Sequence, residues 1–386
     1  MKILKGILFF FKFLYKNRYA RVLRASPDNA RIVILDSSNA QYMTPLCGDE
    51  KYIIIDVDGN ELYVTKEIIL LTFKKVFKGY DFQVSYVITL LQIIKPNITF
   101  TCVDNARLFY EVSRCYPYCR FLAIQNGSRY DVLHLKPERA KEIYIPEFAC
   151  FGEYEKDLYK RKGATVGKFY PIGSLKNAYY KNKYMTKGFT KEYDICLVAE
   201  PAFGWDDIEF DGFEDATGKI AQYVVRFSKK HNKRLCVAGK RDPDTRKRDI
   251  ELDWYSKYIG SDVEIIPRIR DEFTTYQLID RSLVSIAFCS TALSEGMGRG
   301  NRVLFCNYTG KKRWNFPVDG IWRLEETGYE IFEERVINLL KMTDEEFKQQ
   351  SIGAANYVMT YNNEVTTDIF LKNIIADVDY KNALSL

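Results

Sequence analysis

The feature that most constrains this chain is an alternation of short apolar runs with amphipathic stretches, which runs through the first half and then restarts near residue 193. Arg31–Asp36, Tyr52–Asp56, Ile98–Asp104, Phe121–Gln125 and Glu142–Pro146 read as strands, with helices expected over Lys66–Lys78, Ser85–Ile94 and Ala106–Cys115. The second half offers strands at Tyr193–Ala199, Arg234–Ala238, Val263–Pro267, Leu283–Phe288 and Arg302–Cys306, and helices at Asp215–His231, Thr274–Arg281 and Thr291–Arg299. Continuous apolar runs separated by helical segments are the pattern of parallel strands covered on both faces. The expected fold class is therefore α/β, with two doubly wound Rossmann-like domains facing a cleft. A length of 386 residues agrees with two domains. Expected boundaries are 1–24 for a basic amphipathic segment, 25–175 for the first domain and 176–386 for the second. The hinge is expected within Lys168–Lys191, and the second domain is expected to end in charged helices from Tyr329.

Charge and composition narrow the partners. The net charge of +6 comes from 57 basic and 51 acidic residues, and the first 24 residues carry all of that excess. A nearly balanced remainder argues against a nucleic-acid binder. Two histidines, His134 and His231, make a His-built zinc site or a His-centred triad a poor expectation. The nine cysteines sit mainly in apolar runs, as buried thiols of a reducing compartment do, and point to a cytoplasmic protein without a disulfide framework or a metal site.

Residues 1–24 hold Lys2, Lys5, Lys12, Lys16, Arg18, Arg21 and Arg24, with no acid before Asp28. The interleaved run Ile7–Tyr15 is shorter than the roughly 20 residues a bilayer span needs. It reads either as a helix packed on its own domain or as a helix lying on an anionic membrane face. Peripheral contact with the inner face of the cytoplasmic membrane is the expectation carried forward.

In doubly wound domains ligands gather at the carboxyl ends of strands, so the polar clusters there are the candidate sites. Phe288-Cys289-Ser290-Thr291 leads from a strand into a helix bearing Ser294 and Glu295. A helix start of that kind offers free N–H groups to a phosphate, although an ordinary cap reads the same way. Gly239-Lys240-Arg241 follows another strand, where Gly239 permits a tight turn and the two cations suit phosphate or carboxylate. In the first half Asp104-Asn105 and Gln125-Asn126-Gly127-Ser128-Arg129 could hold sugar hydroxyls, with Asp104 as a base, although these residues also form ordinary turns. Glu147, Glu153, Glu155 and Asp157 form an acidic stretch from which the sequence does not choose a catalytic member. Asp56-Val57-Asp58-Gly59 is expected to be a hairpin turn.

Taken in order, Asp104-Asn105, Gln125 to Arg129, Gly152-Glu153-Tyr154, Gly173-Ser174, Gly239 to Pro243 and Ser290-Thr291 resemble bacterial surface-polysaccharide glycosyltransferases of the two-domain GT-B architecture. The resemblance implies transfer of a sugar from a nucleotide-sugar donor to a glycan or lipid-linked glycan, with no further cofactor. It places Gly239, Lys240, Arg241, Ser290, Thr291, Ser294 and Glu295 on the donor side. Asn105, Gln125, Asn126 and Arg129 fall on the acceptor side, and Asp104 and Glu153 become the catalytic candidates. CMP-sugar transferases of the Kdo type are the nearest subclass by the Ser-Thr pair, although Lys-Arg-Asp-Pro stands where they carry His-Pro. Teichoic-acid polymerases carry Trp-His-Gly where this chain has Gln125-Asn126-Gly127. A polyol-phosphate transferase and a non-catalytic glycan-binding or scaffold protein remain the alternative readings.

Overall fold

The computed structural model describes residues 15, 18–37, 39–56, 61–130, 137–184, 189–200, 212–261, 263–361 and 366–377. The chain forms β1 (Arg21–Leu23), β2 (Ile32–Leu35), β3 (Tyr52–Ile55), β4 (Glu61–Tyr63), β5 (Ile98–Thr101), β6 (Arg120–Ile124), β7 (Tyr144–Cys150) and β8 (Thr165–Pro171). Next come β9 (Tyr193–Val198), β10 (Leu235–Ala238), β11 (Ile265–Ile266), β12 (Ser282–Ala287), β13 (Val303–Cys306) and β14 (Arg323–Leu324). One six-stranded sheet runs β3-β2-β5-β6-β7-β8 and the other β11-β10-β9-β12-β13-β14, and every pairing in both is parallel. Burial on both faces explains the unbroken apolar runs: all four residues of β2, of β5 and of β13 are buried. The expected pair of doubly wound sheets is present.

Sheet order fixes where a ligand can sit. Order reverses between β2 and β5 in the first sheet and between β9 and β12 in the second. Helices diverge to opposite faces at such a point and leave a crevice outside the strand ends. Both crevices open on one interdomain cavity, whose lining includes Asn105 beyond β5, Glu200 beyond β9 and Ser290 beyond β12.

Several expectations change. The hairpin around Asp56–Gly59 is not formed, because β3 pairs with β2 while β4 pairs in parallel with β1; residues 57–60 themselves lie outside the described residues. Arg21–Leu23, expected within a basic helix, is a strand for the same reason, and residues 1–14, 16 and 17 lie outside the described residues. Glu142–Pro146 shifts to Tyr144–Cys150, where Arg120 holds Glu147 through contacts of 2.9 and 2.8 Å. The Lys168–Lys191 hinge begins as the edge strand β8 and continues as the helix Leu175–Tyr184.

The end of the chain returns to the first domain. Leu371 and Ile375, on the helix Thr367–Ala376, share a buried cluster with Ile32, Ile34, Ile98 and Leu122. The second sheet spans Tyr193–Leu324, whereas the apolar face of this helix completes the first domain's core.

Candidate active site in the interdomain cleft

The cleft holds a cavity of about 600 Å³, within the range typical of small-molecule sites. On the second-domain side it is built at the ends of β10, β11 and β12. Gly239 is placed there by close approach, not by a left-handed turn. A Cβ at this position would lie 2.7 Å from Arg248 Nη1 and 2.8 Å from the Ile266 carbonyl. The buried Glu251 carboxylate secures the loop, accepting the Lys240 N–H at 2.7 Å, the Arg241 N–H at 3.3 Å and Arg248 Nη1 at 2.8 Å. Lys240 lines the cavity; Arg241 does not. Arg268 and Arg270, which follow β11, line it instead, both beside Asp242 at 3.2 and 3.7 Å.

The helix Thr291–Gly298 begins at Ser290, whose side chain makes no capping hydrogen bond. That leaves the first-turn N–H groups without the hydroxyl partner a cap would supply. Thr291 reaches across the cleft, its Oγ1 accepting the Ser128 N–H at 2.9 Å. One turn on, Glu295 lines the cavity from a buried position; it accepts the Tyr276 hydroxyl at 2.6 Å and the Ser174 hydroxyl. Burial pushes the Glu295 carboxyl above the usual carboxylate range, against those two hydrogen bonds. Ser294 is buried behind the helix start and does not line the cavity.

Across the cleft, Asn105, Asn126 and Arg129 line the cavity. Arg129 is buried and donates to Asp104 Oδ2 at 3.2 Å, the Gly127 carbonyl at 2.8 Å and Asn126 Oδ1 at 3.0 Å. Asp104 is 0 % exposed and lies behind Arg129, outside the cavity lining. Gln125 is buried too, bridging the Phe151 N–H at 2.8 Å and Glu155 at 3.0 Å. Glu153 stands outside the cavity, half-buried and paired with Lys156 at 2.7 Å at the start of its helix. Of the two carboxylates expected to be catalytic, neither lines the cavity.

Among the described residues the carboxylates that do line it are Glu295 and Glu200. Glu200 follows β9 at the reversal of sheet order and accepts the Phe288 and Cys289 N–H groups, each at 2.9 Å. Burial raises its pKa, with Lys240 opposing. Sequence reading missed Glu200, Arg268, Arg270 and Lys176. The available signal was position: Glu200 stands two residues beyond the buried end of β9, Lys176 opens the helix after β8, and Arg268 and Arg270 stand two and four residues beyond β11.

The two facing sheets and the cleft between their reversal points define the GT-B architecture. No protein-family model matches the chain, and no curated protein sequence matches it. Among solved structures, the chain is similar to the S. aureus MnaA–UDP co-structure, with TM-score 0.54 and 12% identity over 89% of this chain and 94% of that one. It is equally similar to the wall teichoic acid polymerase TagF, with TM-score 0.54 and 11% identity over 97% and 95% of the two chains. A Listeria monocytogenes protein described provisionally as a UDP-N-acetylglucosamine 2-epimerase gives TM-score 0.54 and 12% identity over 90% and 95%. At these identities the likeness is one of fold. Among the described residues no helix is long and apolar enough to cross a membrane.

Proposed function

We propose that the protein is a glycosyltransferase that moves a sugar from a nucleotide-sugar donor to a glycan or lipid-linked glycan acceptor. One observation carries the reading. A cavity of about 600 Å³ between two Rossmann-like sheets is walled on the second-domain side by Lys240, Arg268, Arg270 and an uncapped helix start. Cations and helix N–H groups aimed at one place stabilise the negative charge that develops on a departing phosphate. That set supplies the neutralisation from the protein itself, so the proposed transfer is metal-independent. It favours a nucleoside diphosphate over the CMP-linked acidic sugar that the sequence resemblance implies, since several cations match two phosphates. The uridine diphosphate bound in the S. aureus relative agrees with this preference.

In the proposed reaction the bond between the sugar's anomeric carbon and the phosphate oxygen breaks, with its electron pair staying on phosphate. The acceptor hydroxyl forms the new bond to that carbon and gives up its proton. Glu295 takes that proton in preference to Asp104 or Glu153, because it faces the cavity and burial holds its carboxyl above the usual carboxylate range. Arg129 and Asn126 position the acceptor side, and Asp104 holds Arg129.

Thermal shift with UDP and CMP on the full chain tests the reading. A nucleotide in hundredfold excess over its Kd stabilises by about 2.7 kcal/mol. UDP is expected to raise Tm more than CMP, and Lys240→Ala and Arg268→Ala each to weaken UDP about tenfold, as loss of one charge-assisted hydrogen bond does. If neither nucleotide moves Tm, or both variants bind UDP as the parent does, the donor site is elsewhere.

A further inference from the structure

Beyond the main cavity, a second hollow of about 440 Å³ opens on the same side of the molecule and shares Gln41, Tyr42 and Phe273 with it. Three parts of the chain meet there: the turn after β2, the helix Leu175–Tyr184 between the domains, and the loop after β11. Tyr42 stacks on Tyr179 with ring centres 6.0 Å apart and planes 23° from parallel, and meets Phe273 at 5.9 Å. Phe273 holds φ at 53°, a left-handed conformation a bulky residue rarely adopts. Such strain persists where the surroundings impose it, and it concentrates at functional sites. Lys183 donates to the Asp271 carbonyl at 2.8 Å, tying the helix to the loop and closing one end of the hollow. The Tyr179 hydroxyl is buried and makes no hydrogen bond among the described residues.

The chemistry of this hollow differs from that of the main cavity. Among the described residues, five cations there (Arg129, Lys176, Lys240, Arg268 and Arg270) face two carboxylates, Glu200 and Glu295, whereas here one cation, Lys183, faces one acid, Asp271, beside the amides of Gln41 and Asn182 and the aromatic rings. A balanced polar rim around ring faces suits a neutral polyol with an apolar face, which is what a pyranose presents. It does not suit a phosphate.

We propose that the Tyr42–Tyr179–Phe273 hollow is a saccharide subsite that holds a neutral sugar of the acceptor glycan beyond the residue that reacts. As an acceptor subsite it rests on the glycosyltransferase reading; as a sugar-binding hollow it can be tested apart from the donor site. Tyr179 supplies a ring, its hydroxyl being buried away from solvent; Asp271 and Asn182 face the sugar hydroxyls, and the shared Tyr42 and Phe273 connect the subsite to the reacting centre.

The test is saturation-transfer NMR on the full chain with methyl glycosides of glucose, galactose and N-acetylglucosamine, alongside the UDP thermal shift. Tyr179→Leu keeps the bulk and removes the ring face and hydroxyl; Asp271→Ala removes an exposed carboxylate that the fold does not bury. At least one glycoside is expected to receive saturation from the parent, and each variant to bind it about fivefold more weakly, as for loss of one net hydrogen bond. The UDP shift is expected to stay unchanged in both. No transfer to any glycoside in the parent, or undiminished transfer in both folded variants, overturns the subsite. Saccharide binding without any nucleotide binding supports the hollow and sinks the donor reading instead.

Discussion

Glu155 shows what a single residue contributes away from the reaction. Its carboxylate is 1 % exposed and accepts the Gln125 amide at 3.0 Å and the Gly152 N–H at 3.2 Å. Burial pushes its pKa up to about 7, against those hydrogen bonds and Arg129. The unfolded chain ionises the same group near 4.3, so between these values the folded state holds a proton that the unfolded state has released. Stability therefore falls as pH rises from about 4.5 through 7. Glu155→Gln is expected to flatten that slope in urea melts taken at several pH values; an unchanged slope would assign the titration to another group. Sequence could list this residue among four acids but not separate it from Glu147, which is spent on Arg120, or from the half-buried Glu153. Burial decided among them, and burial depends on contacts formed far along the chain. Lys240, Ser290 and Glu295 were legible because each sits in a polar cluster next to an unmistakable apolar run. Arg268 was passed over although Val263–Pro267 read as a strand, because β11 itself is only two residues long and the charges beyond it looked like an exposed turn.

At the scale of elements, the reading found the strands that show as apolar runs, the edge strands β3 and β11 among them, displaced β7, and missed the edge strands β8 and β14. β5, β6, β9 and β13 sit inside their sheets and appear as apolar runs in the sequence. β8 is an edge strand carrying Gly167, Lys168 and Pro171, and with none of its residues buried it resembles a linker. The helix at Thr291 was legible as an element, but two readings of its start, cap or ligand site, were indistinguishable by sequence. Its geometry bears on the cap reading. Because the Ser290 side chain makes no cap bond, Ser290→Ala is expected to cost less than the roughly 1 kcal/mol of a normal cap. Thr291→Val removes the acceptor of the Ser128 N–H and should cost about 1–3 kcal/mol if that group is left unpaired. Chemical denaturation of the two variants compares them directly. Equal losses would mean that Ser290 caps after all and that the cross-cleft bond contributes nothing.

At the scale of the whole molecule, the stretch from Asp344 to Asp377 explains how two separate sheets are held as one cleft. The helix Asp344–Val358 lies against the first-domain helix Glu153–Lys162, where the Tyr357 hydroxyl donates to Asp157 at 2.9 Å. Gly152 gives it room, since a Cβ there would stand 2.3 Å from the Tyr357 carbonyl. The chain then crosses fully: the Thr360 N–H bonds the Phe151 carbonyl at 2.8 Å and Thr367 Oγ1 donates to the Ile172 carbonyl at 2.7 Å. Arg120 receives the end of the last helix, donating to the Ile374 and Asp377 carbonyls at 2.9 and 2.7 Å. A helix at this place in the sequence would have been assigned to the domain it follows, because no local pattern marks a return. Its burial is the testable consequence. Leu371 is 0 % exposed, whereas Ile369 on the same helix is 45 % exposed. Leu371→Ala should therefore cost about 2–5 kcal/mol, the usual price of a core cavity, and Ile369→Ala within about 0.5 kcal/mol of nothing. Calorimetry of both variants in the full chain reads the difference. Equal melting temperatures would mean that the last helix does not dock on the first domain, and the closure of the cleft would then have to come from the Asp344–Val358 helix alone.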